Sequence, residues 1–318
     1  MIDNCERNVN YLRISITDRC NLRCIYCMPP DGIVKKKRED ILSYEEIKEI
    51  ASICVEEFGI RKIRITGGEP LVRPSMEKLV FLLRSIDNLE ELTLTTNGIL
   101  LSEKAKLLKE AGITRLNISL DTLNREKFRR ITGRDELKQV LAGIDIALNA
   151  GFFPVKINTV LMKGINDDEV SSIVNFCLER NLEIRFIEFM NMGTNIYYPF
   201  YISTSEIKKI LEREFSFTAM TQRSHIAEEY IIRRHNKETI TGFISPVSHM
   251  FCNFCNRIRM NSTGDILPCL MDSKSYNLKD FLTNNNKELL KNTIKKAIME
   301  KPFHHTGRGN ISMYSIGG

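Results

Sequence analysis

No run of apolar residues in this 318-residue chain approaches the ~18 that a membrane-spanning helix needs. The first ten residues, MIDNCERNVN, lack the apolar core of a secretory signal. A cytosolic location is therefore expected, where the nine cysteines are reduced thiols or metal ligands and not a disulfide framework. There is no lysine-rich tail and no basic stripe: 46 basic residues stand against 40 acidic ones, a net charge of +6. That mild excess suits an anionic small ligand and argues against nucleic acid as a partner. The KKKR run at 35–38 reads as a solvated loop. No GxxxxGKS/T segment occurs, so a polyphosphate is not held in the P-loop manner.

What the chain does have, between residues 11 and 190, is an alternation of two hydrophobic periods. YLRISIT (11–17), KIRIT (62–66), ELTLTT (91–96), TRLNISLD (114–121), VKINTVLM (155–162) and EIRFIEFM (183–190) read as strands. Helices fall between them. SYEEIKEIASICVEEFG (43–59) has a Ser43/Glu46 capping box, an apolar stripe at Ile47, Ile50, Cys54 and Phe58, and Gly59 to stop it. A second helix is expected over 74–86 and others up to Ala150.

Strands separated by helices predict a parallel sheet of right-handed βαβ units. One face of each strand is apolar and the other polar, in places cationic. Leu12, Ile14 and Ile16 alternate with Arg13, Ser15 and Thr17, and Val155 and Ile157 with Lys156 and Asn158. A filled barrel would put branched apolar side chains inside. A polar inner face instead predicts an α/β fold built as an incomplete (β/α)6 TIM-type barrel around a polar ligand, with an open sheet solvated on one face as the alternative. After residue 190 the style changes: a Tyr- and Asn-rich connection, a capped helix at 203–214, a hairpin at 227–244, a cysteine-bearing loop and helical segments near 277–300. The expected division is a barrel core over 1–225 and an α+β extension over 226–318.

Cys20, Cys24 and Cys27 directly follow the first strand, at the end where βα loops of parallel barrels carry active sites. A disulfide uses two thiols, and structural zinc normally takes four ligands. Three thiols in one tight loop suit three corners of an iron–sulfur cubane, which usually takes four cysteines, and leave one iron open. Cx3Cx2C with Tyr26 before the last cysteine, followed one βα unit later by TGGEP (66–70), resembles the radical S-adenosylmethionine superfamily. The resemblance implies a 4Fe–4S cluster whose open iron chelates S-adenosylmethionine, and an electron that cleaves it to a 5′-deoxyadenosyl radical. The glycines of TGGEP let the backbone approach the methionine group.

A second set of three, Cys252, Cys255 and Cys269, lies in FCNFCNRIRMNSTGDILPCL (251–270). Spacing alone fits half a zinc ribbon, with His249 or another residue as fourth ligand, as well as an iron–sulfur site. The ordered set DRCNLRCIYCMPP, RITGGEPLVR, TTNG, NISLD, KINTVLMKGIND, FCNFCNRIR and a terminal GG closely resembles the GTP 3′,8-cyclase family over nearly the whole chain. That resemblance implies a second 4Fe–4S cluster in the C-terminal extension, with an open iron facing guanine. The implied reaction converts GTP to (8S)-3′,8-cyclo-7,8-dihydroguanosine 5′-triphosphate, the first step of molybdenum cofactor biosynthesis. It proceeds by abstraction of the ribose 3′ hydrogen and attack on C8.

Carried over by position, the resemblance makes Cys20, Cys24 and Cys27 ligands of the first cluster and Cys252, Cys255 and Cys269 ligands of the second. Tyr26, Gly68, Ser119 and Met190 become S-adenosylmethionine contacts. Arg13, Arg64, Thr95, Lys156, Arg257 and Arg259 become GTP contacts, with Arg185 added. Gly317 and Gly318 become a catalytic tail, and Arg257 and Arg259 are counted with the catalytic residues. Arg13, Arg64, Thr95, Ser119 and Lys156 all fall on the polar parity of their strands. Arg185 and Met190 differ in parity, so one lies beyond the strand end.

Asp121 is read equally as a ribose contact or a structural hydrogen-bond partner. Cys54 and Cys177 are expected in the core, Cys5 in a mobile N-terminus, and His304 and His305 at the surface or in the tail and not as metal ligands. The implied partners are a flavodoxin- or ferredoxin-type electron donor and a downstream cyclic pyranopterin monophosphate synthase. The sequence does not fix the oligomeric state, a homodimer being the one assembly considered. Two other functions compete: a peptide-modifying radical enzyme with an auxiliary cluster, and a non-catalytic zinc or iron–sulfur module that binds nucleic acid.

Overall fold

Strand and helix alternate as expected in the computed structural model of the chain, which describes residues 1–28, 33, 35–190, 192, 200–221, 226–284, 286–305 and 313–316. β1 (Tyr11–Ser15), β2 (Lys62–Thr66), β3 (Glu91–Thr96), β4 (Arg115–Ser119), β5 (Val155–Leu161) and β6 (Glu183–Glu188) lie side by side in chain order, each pair parallel. The crossovers carry α1 (Tyr44–Glu56), α2 (Met76–Arg84), α3 (Leu101–Ala111), α4 (Arg125–Thr132), α5 (Leu137–Asn149) and α6 (Val170–Arg180). The start of α1 is fixed by reciprocal bonds between Ser43 and Glu46. Beyond its end, Gly59 turns the chain at φ +68°, a conformation that costs glycine little. The helix expected from residue 74 begins only at Met76, because Ser75 sits at φ +55°, outside helical space. No helix of the described residues is long and apolar enough to cross a membrane.

The parity of the strands decides the two faces. Leu12, Ile14, Ile63, Ile65, Leu92, Leu94, Leu116, Ile118, Val155 and Ile157 are all 0% exposed and join one continuous core with the helices. Each such side chain contributes about 1.5–3 kcal/mol on burial. The opposite parity is not solvated either: Arg13, Arg64 and Lys156 are buried, and they line a cavity.

Beyond residue 190 the sequence reading places, besides helices at 203–214 and near 277–300, only one hairpin's strands, and the structure holds more. α7 (Thr204–Leu211), capped by the Ser203/Glu206 pair, is followed by β7 (Ser216–Ala219), β8 (Glu228–Arg234), β9 (Lys237–Ile244), β10 (Arg257–Met260), β11 (Asp265–Leu267) and β12 (Tyr276–Asn277). Then come α8 (Lys279–Thr283), α9 (Lys287–Met299) and α10 (Met313–Ile316). Strands of two to four residues, as β7, β10, β11 and β12 are, leave no periodic signal to read. All join one mixed sheet in the order β12-β11-β10-β1-β2-β3-β4-β5-β6-β9-β8-β7. The C-terminal segment thus adds a parallel neighbour to each edge of the six-strand set, β10 beside β1 and β9 beside β6. Residue 225 falls between β7 and β8, which pair with each other.

The N-terminus, expected to be mobile, is instead pinned. The Met1 ammonium donates to the Phe58 carbonyl at 2.7 Å. Arg7 and Asp3 form a buried ion pair at 2.7 Å, and Val9 is fully buried.

Candidate functional site

A cavity of about 840 Å³ lies against the polar parity of β1 to β6 and β10. Its lining includes all six cysteines singled out by the sequence. It also includes every polar strand residue singled out there: Arg13, Arg64, Thr95, Ser119, Lys156, Arg185, Arg257 and Arg259. Tyr26, Gly68 and Met190 reach it from the loops. Arg185 stands within β6 and Met190 past its end, which resolves their difference in parity. Gly317 and Gly318 lie outside the described residues. Cys54 and Cys177 are buried in the core. Cys5 is half-buried away from the cavity lining, its Sγ 4.0 Å from the Lys301 carbonyl. His304 is exposed, and the half-exposed His305 reaches the cavity lining. His249 stands exposed on a second cavity of about 550 Å³ and not with the cysteines.

The first triad sits past the C-terminal end of β1. Its loop is tightened by N–H groups of Cys27 and Met28, both donating to the Cys24 carbonyl at 2.9 Å. Burial pushes Cys20 up to about 11, with the Glu69 charge adding to it, and Cys27 up to about 12, with Cys20 adding to it. Cys24 is raised by burial and then by Cys27, Asp121 and Cys20. Three half-buried thiols crowded together are a donor set suited to positive charge, and a coordinating metal deprotonates a thiol outright.

Three loops meet at this triad. The TGGEP turn docks on the chain entering the loop, Gly68 N–H donating to the Thr17 carbonyl at 2.7 Å and Glu69 N–H to that of Arg19 at 2.8 Å. Buried Glu69 accepts from Leu71 N–H, from the Thr96 hydroxyl at 2.7 Å and from Asn97 N–H at 2.7 Å. Burial pushes it up to about 7 against those donors. Asn97 in turn donates to the Asn21 side-chain oxygen at 2.7 Å. Glu69 is thus the keystone of the TTNG loop, a role the sequence reading did not assign, having considered only the glycines of TGGEP. Asp121 accepts from the Tyr26 hydroxyl at 2.7 Å and from Val160 N–H at 2.8 Å. Both contacts make it the residue that orients Tyr26.

The second triad lies at the opposite end of the same strands. β10 runs parallel to β1, and Cys255 precedes it. Cys269 follows β11, which runs antiparallel to β10. The two triads are therefore separated by a strand length, roughly 16 Å for five residues. Between them Arg259, Arg13 and Arg64 stand in register on three neighbouring strands, with Arg257, Tyr11 and Lys62 one pleat closer to the second triad. Like charges directly opposite one another destabilise a sheet, so the rows make sense as a receptor for polyanion. Arg64 donates to Thr95 at 3.3 Å. Arg257 Nε and Asn158 Oδ1 are buried with no hydrogen-bond partner among the described residues, as groups aimed at a ligand are. Lys156 pairs with Glu183 and is held at about 8 by burial and by Arg185.

Tyr11 is the residue the sequence reading passed over, although it shares the parity of Arg13. Its hydroxyl accepts from Arg64 Nε, and the Arg64 and Arg257 guanidinium carbons each lie 5.8 Å from its ring centre. Burial alone would raise it, yet Arg64, Arg13 and Arg257 bring it down to about 7. A phenol whose folded value is depressed contributes stability above its unfolded value near 10, and loses it as pH falls through 7. The melting temperature of the wild type relative to Tyr11→Phe is thus expected to climb between pH 7 and 10. The gain reaches at most about 4 kcal/mol, and parallel melting curves for the two proteins would exclude it.

The second triad is electrically unlike the first. Burial alone would raise Cys255, but Lys301, Arg257 and Arg259 hold it below the usual thiol range. Among the described residues no three His, Cys, Asp or Glu side chains are set out around a single ion. Thiols that each bind a different iron of a cubane stand further apart than the ligands of one ion. Both donor sets, thiols only and three in number, fit a cluster with an open corner.

Residues 14–177 match the family model of the radical SAM superfamily, and residues 182–307 that of Molybdenum Cofactor Synthesis C. The GTP 3′,8-cyclase of Petrotoga mobilis is 44% identical over 307 residues, covering 96% of this chain and 94% of that one. The GTP 3′,8-cyclase of Clostridium botulinum strain Hall is 42% identical over 326 residues, covering 100% of both. Among solved structures, Streptococcus suis SuiB bound to S-adenosylmethionine superposes with a TM-score of 0.63 at 17% identity, over 93% of this chain and 66% of that chain. SuiB bound to the precursor peptide SuiA gives 0.65 at 17%, over 93% and 65%. At such identity the likeness to SuiB is one of fold.

Proposed function

The chain belongs to the radical SAM superfamily and, within it, to the GTP 3′,8-cyclase family, and from that premise we propose that the cavity is a site with an iron–sulfur centre at each end and GTP between them. The chain is a radical enzyme that cyclises GTP in molybdenum cofactor biosynthesis, which displaces the peptide-modifying and nucleic-acid alternatives. One observation carries the residue-level reading: both cysteine triads and the arginine rows line a single cavity.

When bound, a 4Fe–4S cluster with S-adenosylmethionine supplies a 5′-deoxyadenosyl radical. The chain's own part is placement and charge. Cys20, Cys24 and Cys27 would hold the first cluster, three thiols being one fewer than such a cluster usually takes. Tyr26, steadied by Asp121, lines that end with Gly68, Ser119 and Met190. Arg13, Arg64, Arg257 and Arg259 neutralise the triphosphate, bidentately where geometry permits, with Thr95, Lys156 and Arg185 on the neighbouring strands. Cys252, Cys255 and Cys269 would hold the second cluster, at the end of the cavity where the base would lie. Fixing both ends of one substrate in a closed, charge-matched cavity is the proximity and preorganisation that such chemistry needs.

In this reading β1 to β6 form an incomplete (β/α)6 barrel around the substrate, and residues 226–318 form the cluster-bearing extension. Gly317 and Gly318 close the site, and a flavodoxin- or ferredoxin-type protein delivers the electron. A cyclic pyranopterin monophosphate synthase takes the product.

Iron and sulfide counts on anaerobically reconstituted protein test the pair of centres. About eight irons per chain are expected, falling to about four when Cys252, Cys255 and Cys269 are all replaced by alanine. The reduced spin resonance spectrum should respond to GTP only when the C-terminal triad is intact. About four irons and one zinc in the unaltered chain would overturn the second centre.

A further inference from the structure

Lys301 is 4% exposed, lines the same cavity and carries its ammonium to the second triad, beside Cys255. Nζ donates to the Arg257 carbonyl at 2.6 Å and to the Pro268 carbonyl at 3.1 Å, and it lies 3.8 Å from Cys255 Sγ. Arg257 follows the Cys252–Cys255 loop and Pro268 immediately precedes Cys269, so one side chain ties together the two arms that bring the cysteines. The third cysteine is fastened to the same turn by another cation. Arg7, held by Asp3, donates to the carbonyls of Cys252 at 2.9 Å, Pro302 at 3.0 Å and Lys301 at 3.2 Å.

Among the described residues no carboxylate pairs with Lys301. A buried ammonium without negative charge nearby is costly. The negative charge that suits this one is the thiolate set itself, which carries more charge than the iron core it surrounds. The first triad has the reverse setting, with Glu69 and Asp121 beside its thiols and, among the described residues, no lysine acting on them.

We propose that Lys301 is the positive clasp of the C-terminal triad: it locks the two cysteine arms together and, by its charge beside Cys255 Sγ, makes the iron–sulfur group held there easier to reduce. This rests on the reading that the triad holds such a cluster. Hydrogen bonds and charge at cluster sulfurs are established determinants of potential. An electron added to a centre that is already anionic is stabilised by a fixed cation a few ångströms away. Lys301 acts through the ligands and is a positioning residue, not one that touches substrate.

The test uses the full chain with Cys20, Cys24 and Cys27 replaced by alanine, so that only the C-terminal group is seen. Iron is counted, and the reduced fraction is read by spin resonance at a fixed poised potential. At matched iron content, Lys301→Met should lower the ratio of reduced to oxidised cluster roughly tenfold, which is 59 mV for a one-electron couple. Lys301→Arg, keeping the charge, should stay within about threefold of the parent. Arg7→Met, which loses the carbonyl contacts and the Asp3 pair but leaves the ammonium at Cys255 Sγ in place, should lower iron content without moving the ratio. An unchanged ratio in Lys301→Met at full iron overturns the inference. If Lys301→Met binds no iron, Lys301→Arg decides: iron retained supports the clasp, and iron lost in both overturns it as an effect of charge. A parent that takes up zinc, or no iron, fails the underlying reading instead.

Discussion

A Gly68→Ala protein should fold, keep its core and fail to cleave S-adenosylmethionine. A Cβ at Gly68 would sit 2.4 Å from the Arg19 carbonyl oxygen, 2.7 Å from its carbon and 3.0 Å from the Asp18 oxygen. All three atoms are backbone, so no side chain can swing aside. Forcing extra volume into a packed contact costs about 1–3 kcal/mol, and more where backbone must move. The cheapest relief lifts the TGGEP turn off the 17–19 segment. That breaks the Gly68 and Glu69 N–H bonds to Thr17 and Arg19 and shifts Cys20, the next residue. A displacement of 1 Å at a reacting centre costs on the order of 100-fold in rate. Release of 5′-deoxyadenosine after chemical reduction measures this directly, with a melting curve to show that the sheet persists. Cleavage at the wild-type rate would show that the close approach of the two loops is dispensable.

Arg257→Met should weaken GTP binding sharply while leaving the protein at least as stable as before. Arg257 is half-buried at the cavity wall, and the burial it has disfavours its charge. Its Nε meets no hydrogen-bond partner among the described residues, and Arg64 stands close enough to repel it. Exchanging buried ionic groups for apolar ones of similar size is often neutral or stabilising by about 1–4 kcal/mol. The substrate loses what the empty site gains. Removing one member of a buried charged contact costs about 2–5 kcal/mol, which is roughly 30-fold to several-thousand-fold in affinity. A raised KM for GTP with undiminished iron content and melting temperature is the expected pattern. A destabilised protein with an unaltered KM would make Arg257 a structural residue.

How much of this was legible in the sequence depended on distance along the chain. Periodicity gave the six strands and, through parity, the side of each that faces the cavity, because a strand's side-chain period is a local property. The parity of Arg13, Arg64 and Lys156 was readable for that reason, and Tyr11 was readable by the same rule but masked by being aromatic at a strand's first position. Glu69 was hidden inside a motif whose glycines drew the attention. The pairing of β10 with β1 and of β9 with β6 could not be read, since nothing in four residues of RIRM names a partner at the other end of the chain. Lys301, Arg7 and Asp3 fail for the same reason. Their meaning lies in contacts to segments hundreds of residues away, and in sequence they look like solvated surface.

The pairing of β1 with β10 also bears on how the molecule is made. Tyr11 leaves the ribosome early and Arg257 late, so one edge of β1 waits for roughly ten seconds or more at usual synthesis rates. During that interval the sheet exposes an unpaired edge at both ends, the kind of template that neighbouring chains can add to. Long-range closure of this sort also slows folding. The delay has a compensation. Arg257 and Arg259 join Arg13 and Arg64 only in the last pairing, so the mutual repulsion of the arginines is met once, by a sheet whose core is already in place. A scaffold that assembles its most repulsive strands last should be vulnerable to aggregation while nascent. Its yield in cells should then depend more on chaperone supply during synthesis than on the stability of the finished protein.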